Sequence, residues 1–386
     1  MGAEEVELVV VGGGVVGLAT GWQLARAGHE VSVLEQDAVG HARGSSHGAS
    51  RVFRLGYDDP EYVAMAAASA PLWRELEQEG HDPGLLTLTG ALVAGPGMRG
   101  VQRALTAAGV ACDELDEREA RRRHPELALS GPLLWEPTAG VLAADRCLAA
   151  LVRALTAAGG DLREGTRVLD VADGDRGVTL TTSAGSVRAA AAVLCCGAWA
   201  PELLRPLGIG VGMVATREQI AYVAPAGTGG RDGRDGRGEL PVFIEWDEPS
   251  YYGLPTPALG WYKLAEHGTG PAVDPTDERR SLAPDPIVAG RLRAAAARIL
   301  PGFRSEPVAQ ETCLYDNTPD RDFIVDRRGR LVVGAGTSGH GFKFAPLLGE
   351  ALAHLALGRE PPVPRDRFSL TRPALARGGA GLDRPR

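Results

Sequence analysis

The chain has 386 residues and a formal net charge of −8 at pH 7, which argues against nonspecific nucleic-acid binding. No apolar run approaches the roughly 18 residues of a membrane span, so a membrane protein is not expected. The five cysteines, Cys112, Cys147, Cys195, Cys196 and Cys313, show neither C-x-x-C nor a zinc spacing, so no metal site is expected either.

The length suggests two domains or one interleaved pair. The N-terminus has no basic segment ahead of its first apolar run, and the cysteine count is odd. Both lead to the expectation of a reducing, cytoplasmic setting.

Leu8 to Glu35, LVVVGGGVVGLATGWQLARAGHEVSVLE, reads as a strand, a glycine turn, a helix and a second strand. Leu8 to Val11 form a short apolar run, as in a strand covered on both faces. Gly12, Gly14 and Gly17 then give G-x-G-x-x-G. These glycines permit a tight turn, close approach of a pyrophosphate, and close packing of helix on strand. The helix N-terminus offers free N–H groups to phosphates. Gly28 ends the helix, and Val31 to Leu34 form the next strand. Glu35 follows with a carboxylate suited to a ribose diol and repulsive to a 2′-phosphate. FAD or NAD is therefore expected rather than NADP.

The polar loop QDAVGHARGSSHGASRVFRLGY comes next and is too long for an ordinary strand-to-helix connection. A helix kinked near Pro71 is predicted over Glu61–Gln78. The stretch to about Leu142 reads as less regular, with strand-like LLTLTGALVAG and a solvated charge run, EREARRRH. Asp145 is predicted to cap a helix that stops at Gly159 and Gly160. Strands are predicted over Thr166–Val171, Val178–Thr182 and Ala189–Cys196, with Cys195 and Cys196 as buried core thiols. A new helix should begin after Gly197.

From about Val211 the pattern becomes β-rich: MVATREQIAYVA, LPVFIEW, YYGLP and GWYKLAEH. The low-complexity stretch 226–239 is expected to be mobile. Asp285 and Pro286 should start a helix that ends near Pro301 and Gly302. The last unit is TCLYDNTPDRDFIVD, strand LVVGAG, loop TSGHGFKF, helix PLLGEALAHLAL and a disordered tail at 377–386.

Four of these stretches, GSSHGASRVFRLGY, YYGLPTPALGWYKLAEH, ETCLYDNTPDRDFIVD and VVGAGTSGHGFKFAPLLGE, resemble the monomeric sarcosine oxidase and N-methyltryptophan oxidase group. That group lies within the D-amino-acid-oxidase-like flavoproteins, and the resemblance runs from Val6 to about Leu375. It implies an α/β fold of the glutathione-reductase-2-like, D-amino-acid-oxidase-like kind, with a Rossmann-like FAD-binding domain interleaved with an antiparallel β-sheet substrate domain. The expected segments are 1–80, 145–210 and 315–376 for the FAD domain, and 81–144 and 211–314 for the substrate domain.

The resemblance further implies oxidation of the C–N bond of an N-methyl or cyclic secondary α-amino acid. A hydride passes to flavin N5, the imine hydrolyses, and dioxygen becomes hydrogen peroxide. A monomer with no other macromolecular partner is expected. Cys313 matches the cysteine joined covalently to the flavin 8α-methyl, and Lys263 the lysine that activates oxygen. Arg54 and Lys343 match the pair that binds the substrate carboxylate. Arg51, Tyr252, His267 and Tyr315 match other residues of the site. Contacts to FAD are implied for Gly12, Gly14, Val15, Val16, Gly17, Glu35, Gln36, Arg43, Ser45, Ser50, Arg51, Val168, Cys196, Gly197, Trp199, Cys313, Gly339, Gly341, Phe342 and Lys343.

The residue types make chemical sense together. A carboxylate needs fixed cations, and an Arg with a Lys supplies a fork and a point charge. An ammonium beside the flavin stabilises a developing superoxide. The helix after Gly341 is expected to begin close to Lys343.

Residue patterns alone leave plainer readings open: loop cations for Arg51 and Arg54, a solvent-facing Lys263, a strand-end His267, and a buried structural thiol for Cys313. At the level of function, an NAD-dependent dehydrogenase and a flavin-binding protein without turnover compete with the oxidase. Proline, pipecolate or a fructosyl amino acid compete with sarcosine as substrate.

Overall fold

The structure is a computed structural model that describes residues 3–227 and 240–377. The stretch 226–239 therefore lies outside the described residues except for Ala226 and Gly227, and the tail 377–386 except for Arg377.

In chain order the elements are β1 (Glu4–Val11), α1 (Val15–Arg26), β2 (Val31–Leu34), β3 (Arg51–Phe53), α2 (Pro60–Glu79), β4 (Leu86–Leu88), β5 (Ala91–Ala94), α3 (Met98–Ala107), β6 (Asp113–Leu115), α4 (Glu117–Arg123), β7 (Leu133–Glu136), β8 (Gly140–Leu142) and α5 (Ala144–Ala157). They continue with β9 (Asp161–Arg163), β10 (Val168–Gly174), β11 (Gly177–Thr182), β12 (Gly185–Leu194), α6 (Ala200–Leu204), β13 (Val214–Val223), β14 (Val242–Glu245), β15 (Tyr251–Thr256) and β16 (Trp261–Glu266). The last are α7 (Pro286–Ile299), β17 (Ala309–Asn317), β18 (Ile324–Arg328), β19 (Leu331–Ala335) and α8 (Ala345–Ala356).

Two eight-stranded sheets organise the described residues. The first follows the order β10-β11-β12-β1-β2-β9, with β1 parallel to both β2 and β12. β12 forks. Its first half pairs antiparallel with β11, and its last residues, Ala192 to Leu194, pair in parallel with β19, which in turn pairs with β18. The apolar, β-branched stretch at the C-terminal half of β1 is buried on both faces because α1 and α8 cover one side and a second apolar cluster fills the other. Gly349 of α8 lies against Ala19 of α1, where an added Cβ would stand 2.6 Å from backbone, so the two helices touch through glycine.

The second sheet follows β17-β13-β16-β15-β14-β5-β7-β6. It is antiparallel except for β14, which runs parallel to β5, so the expected wholly antiparallel sheet is corrected at that junction. A separate three-stranded sheet has the order β3-β8-β4. Among the described residues, no helix is long and apolar enough to cross a membrane.

Local signals placed most helix ends. Asp59 accepts the Glu61 N–H at 3.0 Å with Pro60 behind it, and Asp285 accepts the Ile287 N–H at 2.7 Å. Pro71 sits inside α2. Arg121, Arg122 and Arg123 of EREARRRH are exposed and pair along α4 with Glu117 and Glu119, as a solvated face does.

Other signals misled. Asp145 does not cap α5. The helix begins one residue earlier, and the Asp145 carboxylate instead accepts the Gly48 N–H at 2.8 Å, tying the glycine loop to the first turn. The stretch before Leu142 is more regular than its sequence suggests, because α3 presents Val101, Ala104 and Leu105 to the core. Cys195 is buried as expected, but Cys196 is half-buried.

Candidate functional site

The turn after β1 needs its glycines. Gly12 has φ +108°, and a Cβ there would stand 2.4 Å from the Cys195 carbonyl oxygen. A Cβ on Gly17 would stand 1.9 Å from the Gly12 carbonyl oxygen. α1 therefore starts against the strand with the N–H groups of its first turn facing a long cleft. The Ser46 hydroxyl accepts one of them, Val15 N–H, at 3.1 Å.

Glu35 ends β2 with only 4% exposure, accepting Gly13 N–H at 2.6 Å and Asp37 N–H at 2.9 Å. Burial pushes its carboxyl up, but hydrogen bonds from His41, Asp37 and Gly13 outweigh it and hold the group below its ordinary value. The cleft thus has a tight glycine turn at one end, where no larger residue would fit, and a fixed anion at its edge. Both fit an extended dinucleotide with a free ribose diol.

The cleft runs on past Val168 of the first sheet and Cys196, Gly197 and Trp199 just beyond β12 to Tyr252, Lys263, Cys313 and Tyr315 of the second, and ends at Gly339, Gly341 and Phe342. Of the expected FAD contacts, Gly17, Arg43, Ser50 and Lys343 do not line it. Gly17 acts behind the turn. Arg43 turns its guanidinium toward Asp37 at 3.8 Å. Ser50 contributes a carbonyl to Lys263 instead, and Lys343 belongs to a second pocket. Ser46 and Thr337 line the cleft without having been expected to. Ser46 had a signal, its place in the GSS run, whereas Thr337 is aimed by a hydrogen bond to Asp316 at 2.7 Å that only the fold creates.

Lys263 is 2% exposed and faces this cleft, not solvent. β16 is covered on both sides, with Tyr262 and Leu264 in one cluster and Ala265 in another, so strand alternation carries no information about which side meets water. Its ammonium donates to the Ser50 carbonyl at 3.0 Å. Burial, then the Arg51 guanidinium, pushes its pKa down to about 7. Arg51 is held by carbonyls of its own loop, donating to Ser45 at 2.8 Å and His47 at 2.5 Å. Cys313 is buried beside both cations. Burial raises its thiol pKa while Arg51 and Lys263 draw it down.

A smaller pocket shares Arg51, Tyr252, Tyr315, Gly339 and Phe342 with the cleft and adds Arg54, Trp246, His267, His340 and Lys343. Arg54 and Lys343 are each 5% exposed. The Lys343 ammonium donates to the Tyr57 hydroxyl and the His340 carbonyl, both at 2.8 Å. It sits in a 3-10 turn, Phe342–Phe344, that leads straight into α8 at Ala345, close to Lys343 as expected. Arg54 donates to the Gly56 carbonyl, and its guanidinium lies 4.4 Å from the Tyr57 ring centre and 5.3 Å from that of Trp246.

Burial, then Arg54, pushes Lys343 well below its ordinary value, and Glu136 opposes them. Glu136, fully buried, accepts Leu55 N–H at 2.7 Å and Gly56 N–H at 3.1 Å. Sequence reasoning missed Glu136, because WEPTAG carries no recognisable chemistry. His267 meets the Tyr315 hydroxyl through Nδ1 at 3.3 Å, with the Tyr252 ring edge-on at 6.1 Å. Burial pushes Tyr252 up to about 12 and Tyr315 well above its ordinary value, so both stay protonated phenols.

The profile of the family described as FAD dependent oxidoreductase matches residues 7–355. Monomeric sarcosine oxidase of Bacillus sp. (strain B-0618) is 32% identical over 380 residues, covering 96% of each chain. N-methyl-L-tryptophan oxidase of Salmonella heidelberg (strain SL476) is 30% identical over 380 residues, covering 95% of this chain and 98% of that one. Among solved structures, the open form of NikD, an unusual amino acid oxidase essential for nikkomycin biosynthesis, superposes with a TM-score of 0.84 at 28% identity, covering 95% of this chain and 98% of that one.

Proposed function

The chain belongs to the FAD-dependent oxidoreductase family, and from that premise we propose that it oxidises the C–N bond of a secondary α-amino acid, N-methylated or cyclic, and reduces dioxygen to hydrogen peroxide. One observation carries this reading: two buried cations, Arg54 and Lys343, stand in a small pocket that opens through shared walls onto the dinucleotide cleft. Burying cationic side chains is costly, and a bound amino acid carboxylate would offset that cost at both.

FAD bound in the cleft would supply the hydride acceptor at N5 and pass the electrons on to dioxygen. Gly12 to Val16 and Glu35 would hold its pyrophosphate and ribose. Arg54 and Lys343 orient the substrate by its carboxylate, which brings the amine end toward the shared walls at Tyr252, Tyr315 and Phe342. His267 braces Tyr315 through its hydroxyl. The apolar and aromatic lining keeps water from the reacting carbon.

Lys263, on the cleft side, places a cation where oxygen reduction builds negative charge. Cys313 is the proposed covalent attachment point. Of the five cysteines it stands beside Lys263 and Arg51, the two cations that favour its thiolate. A monomer is taken as the working unit, in line with the name of the Bacillus relative, monomeric sarcosine oxidase.

The test is a peroxide-coupled screen of sarcosine, N-methyl-L-alanine, L-proline, L-pipecolate, N-methyl-L-tryptophan and a fructosyl amino acid against the purified yellow protein. Turnover of at least one, with equimolar peroxide, is expected. No turnover with any of them would remove the proposal.

A further inference from the structure

We propose that Trp246 restricts this enzyme to small secondary amino acids, those with the bulk of sarcosine, N-methylalanine or proline; the inference rests on the amine-oxidase reading above and narrows it. The pocket that holds Arg54 and Lys343 has a volume of about 80 Å³. An indole, a phenyl ring or a sugar beyond the amine has to displace the side chain that forms its wall or turn out toward the cleft that shares Tyr252, Tyr315 and Phe342 with it.

Trp246 is the bulkiest side chain on that wall. It follows β14, where its N–H donates to the Ala94 carbonyl at 3.0 Å. Strand alternation sends the preceding Glu245 the other way, into a paired ion bridge with Arg298 at 2.7 and 2.5 Å, so the register commits the indole to the pocket. The Arg54 guanidinium is flanked by the Trp246 and Tyr57 rings. The indole packs over Gly97, where a Cβ would meet its Cγ at 3.3 Å, and the main chain of residue 246 runs against Gly95, where a Cβ would meet the Trp246 carbonyl oxygen at 2.2 Å.

Tryptophan also carries a cost at this position. Its Nε1–H is closed to solvent and has no acceptor in the protein, a liability that phenylalanine or leucine would avoid. What tryptophan adds is volume at the mouth of the carboxylate site.

Two measurements test this. In the peroxide assay, wild type is expected to show kcat/KM for sarcosine at least about 100-fold above that for N-methyl-L-tryptophan, the scale on which pockets reject added bulk. Trp246→Ala should shrink that ratio at least about tenfold and Trp246→Phe should shrink it less, with Trp246→Leu as the variant if alanine is not tolerated. Separately, flavin absorbance reports the binding of acetate and of indole-3-acetate. Trp246→Ala should tighten indole-3-acetate at least about tenfold while moving acetate less than about threefold.

A wild type that prefers N-methyl-L-tryptophan overturns the inference. So does an unchanged preference and unchanged indole-3-acetate affinity in flavin-loaded Trp246→Ala. Absence of peroxide with every secondary amino acid, alongside the expected gain for indole-3-acetate, would overturn the amine-oxidase reading and uphold the size limit by itself.

Discussion

Burying a charge costs several kcal/mol, and this chain buries the side chains of Arg54, Lys263 and Lys343. Arg54 and Lys343 share one buried carboxylate, Glu136, which is also occupied by two backbone N–H groups. A substrate carboxylate therefore meets a pair of cations with spare donor capacity. Arg54→Ala or Lys343→Ala should weaken carboxylate inhibitors by about 1.5–3 kcal/mol, roughly ten- to a hundredfold. Titration of the flavin spectrum measures this, and unchanged affinity in both variants would remove the assignment.

Lys263 gives a kinetic and a thermodynamic prediction. Lys263→Met should leave anaerobic flavin reduction nearly unchanged and slow reoxidation by about a hundredfold or more. Stopped-flow reoxidation at the wild-type rate would make it only a buried lysine.

The pKa of Lys263 falls on folding from 10.5 to about 7. Between those values the unfolded chain holds a proton that the folded chain lacks, so this group makes stability rise with pH across that window. Below pH 7 its full penalty stands, roughly 3–5 kcal/mol from the size of the shift. Lys263→Met should therefore melt above wild type at pH 7, with the gap narrowing toward pH 10. A constant gap would mean that the amine is not desolvated.

At the scale of elements, β17 brings Cys313 and Tyr315 to the same side, two residues apart, while Leu314 joins a different cluster. Alternation makes this readable in principle. It does not say which side faces the cleft, because Cys313 to Asn317 are buried throughout. If Cys313 carries the flavin, denaturing gel electrophoresis should leave yellow fluorescence on the polypeptide, and a proteolytic flavopeptide should contain residue 313. Cys313→Ser should release all colour on acid precipitation. Complete release from wild type would end the covalent claim and leave the FAD fold untouched.

The β1–α1 turn gives a harder constraint. A methyl on Gly17 has 1.9 Å in which to sit, so Gly17→Ala should force α1 off the strand and yield protein with little bound flavin, read from its absorbance ratio. Normal flavin loading would show that the turn relaxes more than its packing implies.

At the scale of the whole molecule, the cleft lies between the two large sheets, with Glu35 and Cys196 on one side and Lys263 and Cys313 on the other. A dinucleotide spanning it would bridge both, and a ligand that binds only the folded form stabilises it by about 4 kcal/mol at a thousandfold excess over Kd. In Cys313→Ser protein, where flavin would exchange, saturating FAD should raise Tm by several degrees. No shift would mean that the cleft does not hold FAD.

What could be read in the sequence was what depends on neighbours a few residues away: the glycine turn, the caps at Asp59 and Asp285, and the buried parallel strand. Even there Asp145 misled, because a cap and a loop anchor ask for the same carboxylate and only the position of Gly48 distinguishes them. The family was legible too, in the four stretches that resemble known oxidases, and the match across residues 7–355 upheld it.

The geometry of the site was not legible. Lys343 meets Tyr57 across 286 residues of chain, and Lys263 meets Ser50 across 213. The charge that balances Arg54 and Lys343 comes from Glu136, in a segment with no motif. Sequence determined which side chains this protein owns and how its strands and helices begin. Only the packing of one sheet against the other decided which of those side chains lose water together, and loss of water is what shifts the pKa of a lysine, a thiol or a carboxylate.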